Sequence, residues 1–203
     1  GVEWFKARAR LEDPHIVVLT DTETGEESRV TAAKILLATG GTPSLPDIPG
    51  KELAISSNEA FDLPELPERV VVYGGGYIAV EFAGIFSGLG AETHLIYRGD
   101  KPLRGFDEDL RQFFLEQLEG RENLHLHMGR SIAGLAESSG TGDDLTVTLD
   151  DGSTLSAGAA MFATGRRPNT PESLTLGGQI ETNAAGAVVV DAYSRTPPPH
   201  ISA

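Results

Sequence analysis

One stretch near the middle of the chain limits the possible folds more than any other, because an apolar run ends there in three consecutive glycines. Residues 70–73 are three valines and a tyrosine, which favour a strand, and Gly74, Gly75 and Gly76 follow directly. Apolar side chains then recur at helical spacing. The sequence therefore predicts a strand, a tight turn and a helix.

The glycine turn fits the pattern G-x-G-x-x-A of dinucleotide-binding βαβ units, with Gly74, Gly76 and Ala79 at its defined positions. In such units one glycine allows the turn, one allows the backbone to approach a pyrophosphate, and a small third residue lets the helix pack on the strand. A glycine turn can also be purely structural. Residues 92–97, however, form a good second strand and complete a unit of about 30 residues, which favours a nucleotide site.

The residue after the second predicted strand indicates which nucleotide would bind. An NAD-specific site carries Asp or Glu there, to bind the ribose 2′-hydroxyl. This sequence has Arg98 instead, and Arg104 follows six residues later. Two guanidinium groups would give a 2′-phosphate charge-assisted hydrogen bonds, which predicts NADPH rather than NADH. The alternative is that both arginines are surface charges paired with Asp100, Asp107 or Glu108.

Composition excludes several classes of partner and site. The formal net charge of −14 argues against nucleic acid or an anionic membrane as the main partner. No apolar run approaches the roughly 18 residues of a membrane span, and the N-terminus lacks a signal-peptide pattern, so we expect a cytoplasmic protein. The chain contains no cysteine, which excludes disulfides and thiolate metal sites.

The five histidines give little support for a metal centre. His125 and His127 alternate along a short predicted strand and would face the same side. They could bind a metal ion, but the sequence shows no cysteine, aspartate or third histidine beside them. We therefore predict exposed strand histidines and no metal site.

The triplet Ala-Thr-Gly at residues 38–40 recurs at 163–165, each time at the end of an apolar strand and before a proline-containing connector. Everything between the two triplets reads as a self-contained α/β unit, so we interpret them as crossovers that bracket an inserted domain. The predicted domain boundaries are 1–42, 43–167 and 168–203.

Individual elements are predicted from residue pattern and turn chemistry. Strands are expected at residues 2–11, 16–20, 28–37, 145–149, 159–163 and 187–191. The strand at 145–149 should turn back through an Asp-Gly hairpin, and Gly140, Thr141 and Gly142 should be a loop. Asp107 should cap a helix. Four residues of that helix are expected to face the core: Leu110, Phe113, Phe114 and Leu118.

Five segments of the chain resemble the glutathione reductases, most closely the bacterial type, within the flavoprotein disulfide reductases (class I pyridine nucleotide-disulfide oxidoreductases). The segments occur in the family's order at residues 35–41, 70–89, 97–107, 163–170 and 190–196. One departure is Ala7, where the family usually has glycine. The resemblance covers essentially the whole chain. It implies an α/β fold in which a Rossmann-like NADPH-binding domain, a parallel sheet with helices plus a β-meander, is inserted into an FAD-binding domain that is only partly present.

The resemblance also implies cofactors and partners. The cofactors would be NADPH and, in the full-length enzyme, FAD, and that enzyme would be a homodimer. Hydride would pass from NADPH to FAD, then to a redox-active disulfide, and finally to glutathione disulfide. The residues implied to contact NADPH are Gly74, Gly75, Gly76, Tyr77, Ile78, Ala79, Glu81, Arg98, Arg104, Gly165 and Arg166. Those implied on the FAD side are Ala9, Thr39 and Gly40.

Two of these residues would have particular roles in the family's scheme. Tyr77 would be the gate that covers the flavin until nicotinamide displaces it, and Glu81 would lie near the nicotinamide. The residue types alone are equally consistent with purely structural roles. Tyr77 could pack on a loop, and Glu81 could be a first-turn carboxylate favoured by the helix dipole.

The missing cysteines limit what the chain can do, because thiolate attack is the chemistry of disulfide reduction. We therefore expect an internal segment of a longer enzyme that binds nucleotide without turnover. A trypanothione reductase or related enzyme is an alternative, as is a stand-alone NADP-binding module without redox chemistry. Dihydrolipoamide dehydrogenase fits less well, because its NAD preference calls for an acid where Arg98 stands.

Overall fold

The computed structural model describes residues 1–138 and 145–203 of the chain. Contacts between Cα atoms divide the chain into two compact units. The first unit consists of Gly1–Thr42 together with Arg167–Ala203, and the second consists of Pro43–Arg166.

The first unit is built mainly from strands, and the second contains both strands and helices. In chain order the strands are β1 (Ala7–Asp13), β2 (Ile16–Asp21), β3 (Glu27–Thr31), β4 (Ile35–Leu36), β5 (Gly41–Pro43), β6 (Arg69–Tyr73), β7 (Glu92–Tyr97), β8 (Leu124–Met128), β9 (Ile132–Glu137), β10 (Leu145–Leu149), β11 (Thr154–Ala157), β12 (Ala159–Phe162), β13 (Arg166–Pro168) and β14 (Ile201–Ser202). The α-helices are α1 (Ser57–Ala60), α2 (Tyr77–Gly88) and α3 (Glu108–Glu119). None of the helices in the described residues is long and apolar enough to cross a membrane. The loop expected at residues 140–142 lies outside the described residues.

The first unit contains the predicted antiparallel sheet, with β1, β2 and β3 side by side in that order. Asp21 at the end of β2 starts the turn to β3, because its carboxylate accepts hydrogen bonds from two backbone N–H groups that follow it. Leu11 of β1 packs with Leu174, Ile180 and Ile201 in the buried core of this unit. The core of the unit therefore joins the first segment of the chain to the last.

The strand expected at residues 28–37 is interrupted. β3 ends at Thr31, and the chain resumes as β4, which pairs in parallel with β14. Within β4, Leu36 is 69% exposed, although the residues on either side of it pack against the core. Successive side chains of a strand point to opposite faces, so this apolar run is buried on one face only. The first strand also differs, because it begins at Ala7.

The strand expected at residues 187–191 does not form. Among the described residues, this segment makes one isolated bridge, between Thr182 and Val188. The carboxylate of Asp191 instead accepts hydrogen bonds from two backbone N–H groups that follow it. Such local bonds from a side chain to the backbone compete with strand pairing, which explains the error.

The second unit contains a parallel sheet with the strand order β12-β6-β7-β8, which confirms the predicted α/β class. Val70 and Val72 of β6 pack with the buried side chains of α2, while Val71 packs against the antiparallel sheet of β9, β10 and β11. Burial on both faces explains why this strand is a continuous apolar run. β10 and β11 form the predicted hairpin, and β9 extends it into a meander.

Helix α3 begins after Asp107, as predicted, but only one side of it is covered. Leu118 is buried and Phe114 packs against the core. The core positions predicted for Phe113 and Leu110 are wrong, because these side chains are 60% and 49% exposed. The helix packs on the edge strand β8, so a single stripe of apolar residues is enough to cover its inner side.

Replacing Asp107 by Ala is expected to destabilise the second unit by about 1 kcal/mol. The Asp107 carboxylate accepts hydrogen bonds from the backbone N–H groups of Asp109 and Leu110, each at 3.1 Å, and Ala leaves both without that partner. Urea unfolding measures the change. Asp107→Asn keeps a cap and is the matched control. An unchanged free energy of unfolding in Asp107→Ala would contradict the assignment of the cap.

Candidate nucleotide-binding site

A cleft of about 480 Å³ lies within the second unit, at the carboxyl ends of the parallel strands. Its walls include Tyr73 at the end of β6, Tyr97 at the end of β7, and Ala163 directly after β12. Along the sheet, β7 and β8 follow β6 in one direction, whereas β12 is added next to β6 in the opposite direction. Open parallel sheets bind ligands outside the carboxyl ends of their strands, at such a switch in strand order.

Gly74 is required by the packing of the turn. Its φ is +148°, and a Cβ atom added there would lie 2.3 Å from the carbonyl oxygen of Ala163 and 3.2 Å from the Cβ of Ala79. Ala79 is fully buried under the turn. Gly76 is different, because a Cβ added there meets no described atom within 4 Å and its φ is −82°. The turn therefore needs Gly74, while no described neighbour requires glycine at Gly76.

The side chain of Tyr97 supports the turn from the other side, and sequence reasoning missed it. Cβ atoms added at Gly75 and Gly99 would lie 2.3 Å and 2.6 Å from the Tyr97 ring. The backbone N–H of Leu103 also donates to the carbonyl oxygen of Gly75, at 2.6 Å. The loop after β7 is thereby tied to the glycine turn, and Arg104 is the next residue. No local pattern in the sequence indicates this role, because Gly75 and Tyr97 are 22 residues apart in the chain.

Both predicted arginines line this cleft. Arg98 and Arg104 are exposed, and within residues 1–138 and 145–203 neither guanidinium has a carboxylate at ion-pair distance. The acids considered as alternative partners are engaged elsewhere. Asp100 and Asp107 accept hydrogen bonds from backbone N–H groups, and Glu108 pairs with two other cations. Among the residues that the structure describes, the cleft is therefore bordered by two cationic groups that have no acidic partner.

A second cleft of about 250 Å³ shares Gly76, Ala163 and Gly165 with the first. Its walls are largely apolar, and they include five of the residues predicted to contact NADPH, among them Tyr77 and Arg166. The complete set of lining residues is Pro43, Ser57, Gly76, Tyr77, Ile78, Phe162, Ala163, Gly165 and Arg166. The two clefts therefore adjoin at the N-terminus of α2, the first lined by Arg98 and Arg104 and the second by largely apolar walls.

Two of the residues predicted to contact NADPH lie outside both clefts. Glu81 is exposed on α2, one turn beyond Tyr77, and lines neither cleft. Ala79 is buried beneath the turn. Four wall residues absent from the prediction come from the two connectors: Ser44, Leu45, Pro46 and Thr164. The Thr164 hydroxyl donates to the carbonyl oxygen of Ser44, which holds these connectors together.

The residues expected on the FAD side belong to the first unit. Thr39 and Gly40 are exposed, and their carbonyl oxygens accept hydrogen bonds from the side chain and the backbone N–H of Asn169. Ala9 lies on β1, opposite Leu19 of β2. Thr39 and Gly40 are thus brought together around Asn169, whereas Ala9 lies on another element.

The histidine prediction needs a correction, because a third histidine and a carboxylate lie beside the pair. His94 on β7 is opposite His125 on β8, and its ring lies 4.8 Å from the His125 ring and 5.2 Å from the His127 ring, between centroids. Glu92 lies on the same face, two residues before His94. The register of two strands creates this cluster, so spacing along the chain could not reveal it.

A glutathione reductase from Burkholderia cepacia is 40% identical to this chain over 207 residues. The match covers 100% of this chain and 43% of that protein, so the chain spans less than half the length of this curated relative. The HOCl-induced flavoprotein disulfide reductase RclA from Escherichia coli is similar in structure, with a TM-score of 0.83 and 25% identity over 97% of this chain and 43% of that one.

An engineered water-forming NADPH oxidase, made from a Lactobacillus brevis enzyme and solved with NADPH bound, is also similar. The TM-score is 0.79 with 25% identity, over 97% of this chain and 44% of that chain. Its engineered substitutions introduce two arginines six positions apart. Arg98 and Arg104 have the same spacing.

The sequence model of the family described as pyridine nucleotide-disulphide oxidoreductase matches residues 1–203 of this chain. The match covers the glycine turn and both arginines. The chain belongs to the pyridine nucleotide-disulphide oxidoreductase family.

Proposed function

We propose that this chain supplies the NADPH site of a glutathione reductase-like flavoenzyme. The observation that carries the proposal is the pair of exposed arginines, Arg98 and Arg104, beside a glycine turn at the carboxyl edge of the sheet. An anionic group on the ribose is the ligand such a pair would recognise. NADPH differs from NADH by that group.

The glycine turn and the helix behind it fit a pyrophosphate. Added side-chain volume at Gly76 would point into open space, which leaves room for a ligand to approach the backbone. Among the described residues, no side chain caps the N-terminus of α2. The first N–H groups of a helix have no partner within the helix, and they favour phosphate. Gly76 and the start of α2 would therefore hold the pyrophosphate.

Each of the two clefts would bind one end of the nucleotide. Arg98 and Arg104 would bind the 2′-phosphate, and the apolar cleft beside Tyr77 would take the nicotinamide. Tyr77 is 57% exposed, as a movable gate requires. Glu81 would lie near the nicotinamide without forming part of the cleft walls. The engineered NADPH oxidase supports the phosphate assignment, because its two introduced arginines have the same spacing.

The flavin and the disulfide substrate of the proposed activity are inferred from the relatives, which are a glutathione reductase and a flavoprotein disulfide reductase. Bound NADPH supplies a hydride, and FAD would accept it before glutathione disulfide is reduced. Thr39 and Gly40 would lie on the FAD side of the homodimeric enzyme. Disulfide exchange requires a thiolate, and the 203 residues contain no cysteine. The share of this chain is therefore nucleotide binding and hydride delivery, and we expect the chain alone to bind NADPH without turnover.

Separate calorimetric titrations of the chain with NADPH and with NADH test the proposal. NADPH should bind at least roughly 10-fold more tightly, because one charge-assisted hydrogen bond contributes about 1.5–3 kcal/mol. Adenosine 2′,5′-bisphosphate should compete with NADPH, and adenosine 5′-monophosphate should compete far less. Equal affinities for the two reduced nucleotides would overturn the assignment of the 2′-phosphate site.

A further inference from the structure

Four side chains that the nucleotide site does not use cluster on β7 and β8. Glu92 and His94 project from the same face of β7, and His125 and His127 project from the same face of β8. His94 and His125 are direct partners in the parallel register. Val71, the register partner of His94 on β6, packs against the antiparallel sheet. The cluster therefore lies on the face of the parallel sheet opposite α2.

Three donor atoms of this cluster have the spacing of a metal site. Oε1 of Glu92 lies 3.3 Å from Nε2 of His94 and 3.6 Å from Nε2 of His125. One donor atom from each of the three residues lies within 4.8 Å of the other two. Zinc with bonds of about 2.0–2.1 Å holds tetrahedral ligands about 3.4 Å apart. The two distances from Glu92 match that spacing, and the half-exposed side chain of His125 can adjust to shorten the third distance, between His94 and His125.

His127 completes the arrangement without being a ligand. Its Nε2 lies 2.9 Å from Nδ1 of His94, so the two rings share a hydrogen bond. When His94 Nδ1–H is the donor, its Nε2 lone pair points toward Glu92 and His125. A histidine that binds a metal usually donates its other N–H group to a neighbour, which fixes the ring and its tautomer. The pairing with His127 thus orients His94 for coordination.

The hydrogen bonds around Glu92 leave one of its oxygens for a cation. The Arg69 guanidinium donates to Oε2 of Glu92 at 3.1 Å, whereas Oε1 is the oxygen that faces His94 and His125. Arg69 also offsets the charge of Glu92. The imidazole nitrogens therefore decide the choice of metal, and they favour zinc over magnesium or calcium.

We infer that Glu92, His94 and His125 form a binding site for one zinc ion, with the fourth coordination position open to solvent. The site is distinct from the nucleotide cleft. Glu92 begins β7 and Tyr97 ends it, so they are roughly 16 Å apart along the strand. Zinc would join β7 to the edge strand β8 and stabilise the sheet, since an ion that binds only the folded chain raises its stability.

Calorimetric titration of the chain with zinc chloride, combined with thermal unfolding, tests the inference. We expect one zinc ion per chain and a rise in the unfolding temperature, with no response to magnesium chloride. His125→Ala removes a side chain that is 45% exposed and should preserve the fold while weakening zinc binding at least roughly 10-fold. Glu92→Gln should also weaken it.

The matched control is His15→Ala, which removes an exposed histidine in the first unit. This variant should bind zinc like the parent chain. NADPH affinity serves as a separate check of folding in every variant, because the nucleotide cleft contains none of the zinc ligands. Zinc binding that is absent in the parent, or equal in the parent and His125→Ala, would overturn the inference.

Discussion

Replacing Arg98 by Glu together with Arg104 by Ala is expected to abolish the preference for NADPH over NADH. The affinity for NADPH should fall roughly 100-fold or more, while the affinity for NADH should change only a few-fold. Each lost charge-assisted hydrogen bond costs about 1.5–3 kcal/mol, and tenfold in affinity corresponds to about 1.4 kcal/mol. Because both arginines are exposed, we expect the lower end of this range at moderate salt.

The measurement is a pair of calorimetric titrations for each variant, with circular dichroism to establish folding. Arg121→Glu is the matched control for charge, because Arg121 is exposed just after α3 and lines neither cleft. It should keep the preference. The preference of the parent chain should also shrink as salt is added, because screening weakens the contacts with the 2′-phosphate. A double variant that still prefers NADPH would show that other residues recognise the phosphate.

Replacing Gly74 by Ala should destabilise the second unit by about 3 kcal/mol or more. The backbone φ of +148° is unfavourable for an L-residue, and strain of this kind costs about 1–3 kcal/mol. The new Cβ would also lie 2.3 Å from the carbonyl oxygen of Ala163, so the turn or the end of β12 must move. Overpacking contributes about another 1–3 kcal/mol. Urea unfolding measures the sum.

Gly76→Ala is the matched control, since it adds the same methyl group two residues later. No described atom lies within 4 Å of the added Cβ, so the free energy of unfolding should change by less than about 1 kcal/mol. NADPH binding should weaken instead, because the methyl group would fill the space proposed for the pyrophosphate. If Gly74→Ala unfolds at the same urea concentration as the parent chain, the close contact with Ala163 is not a constraint on the turn.

Local patterns carried most of the information about the glycine turn and its helix. The β-branched run before Gly74, the helical spacing after it and the Asp107 cap all act within a few residues, so their physics is visible in the sequence. Local patterns gave a wrong prediction at residues 187–191, where the Asp191 carboxylate accepts hydrogen bonds from backbone N–H groups that follow it. The predicted core position of Phe113 was also wrong, because only the neighbouring elements determine which side of α3 is covered.

The sequence by itself determined the βαβ unit and the position of Arg98 and Arg104 beside it, because strand, turn and helix preferences are local. Only the tertiary structure brought the Tyr97 ring between Gly75 and Gly99 and bound the Leu103 N–H to Gly75. Strand register likewise brought histidines from β7 and β8 together. Most of these contacts join residues far apart in the chain, and the pairing of whole elements decides which of them meet.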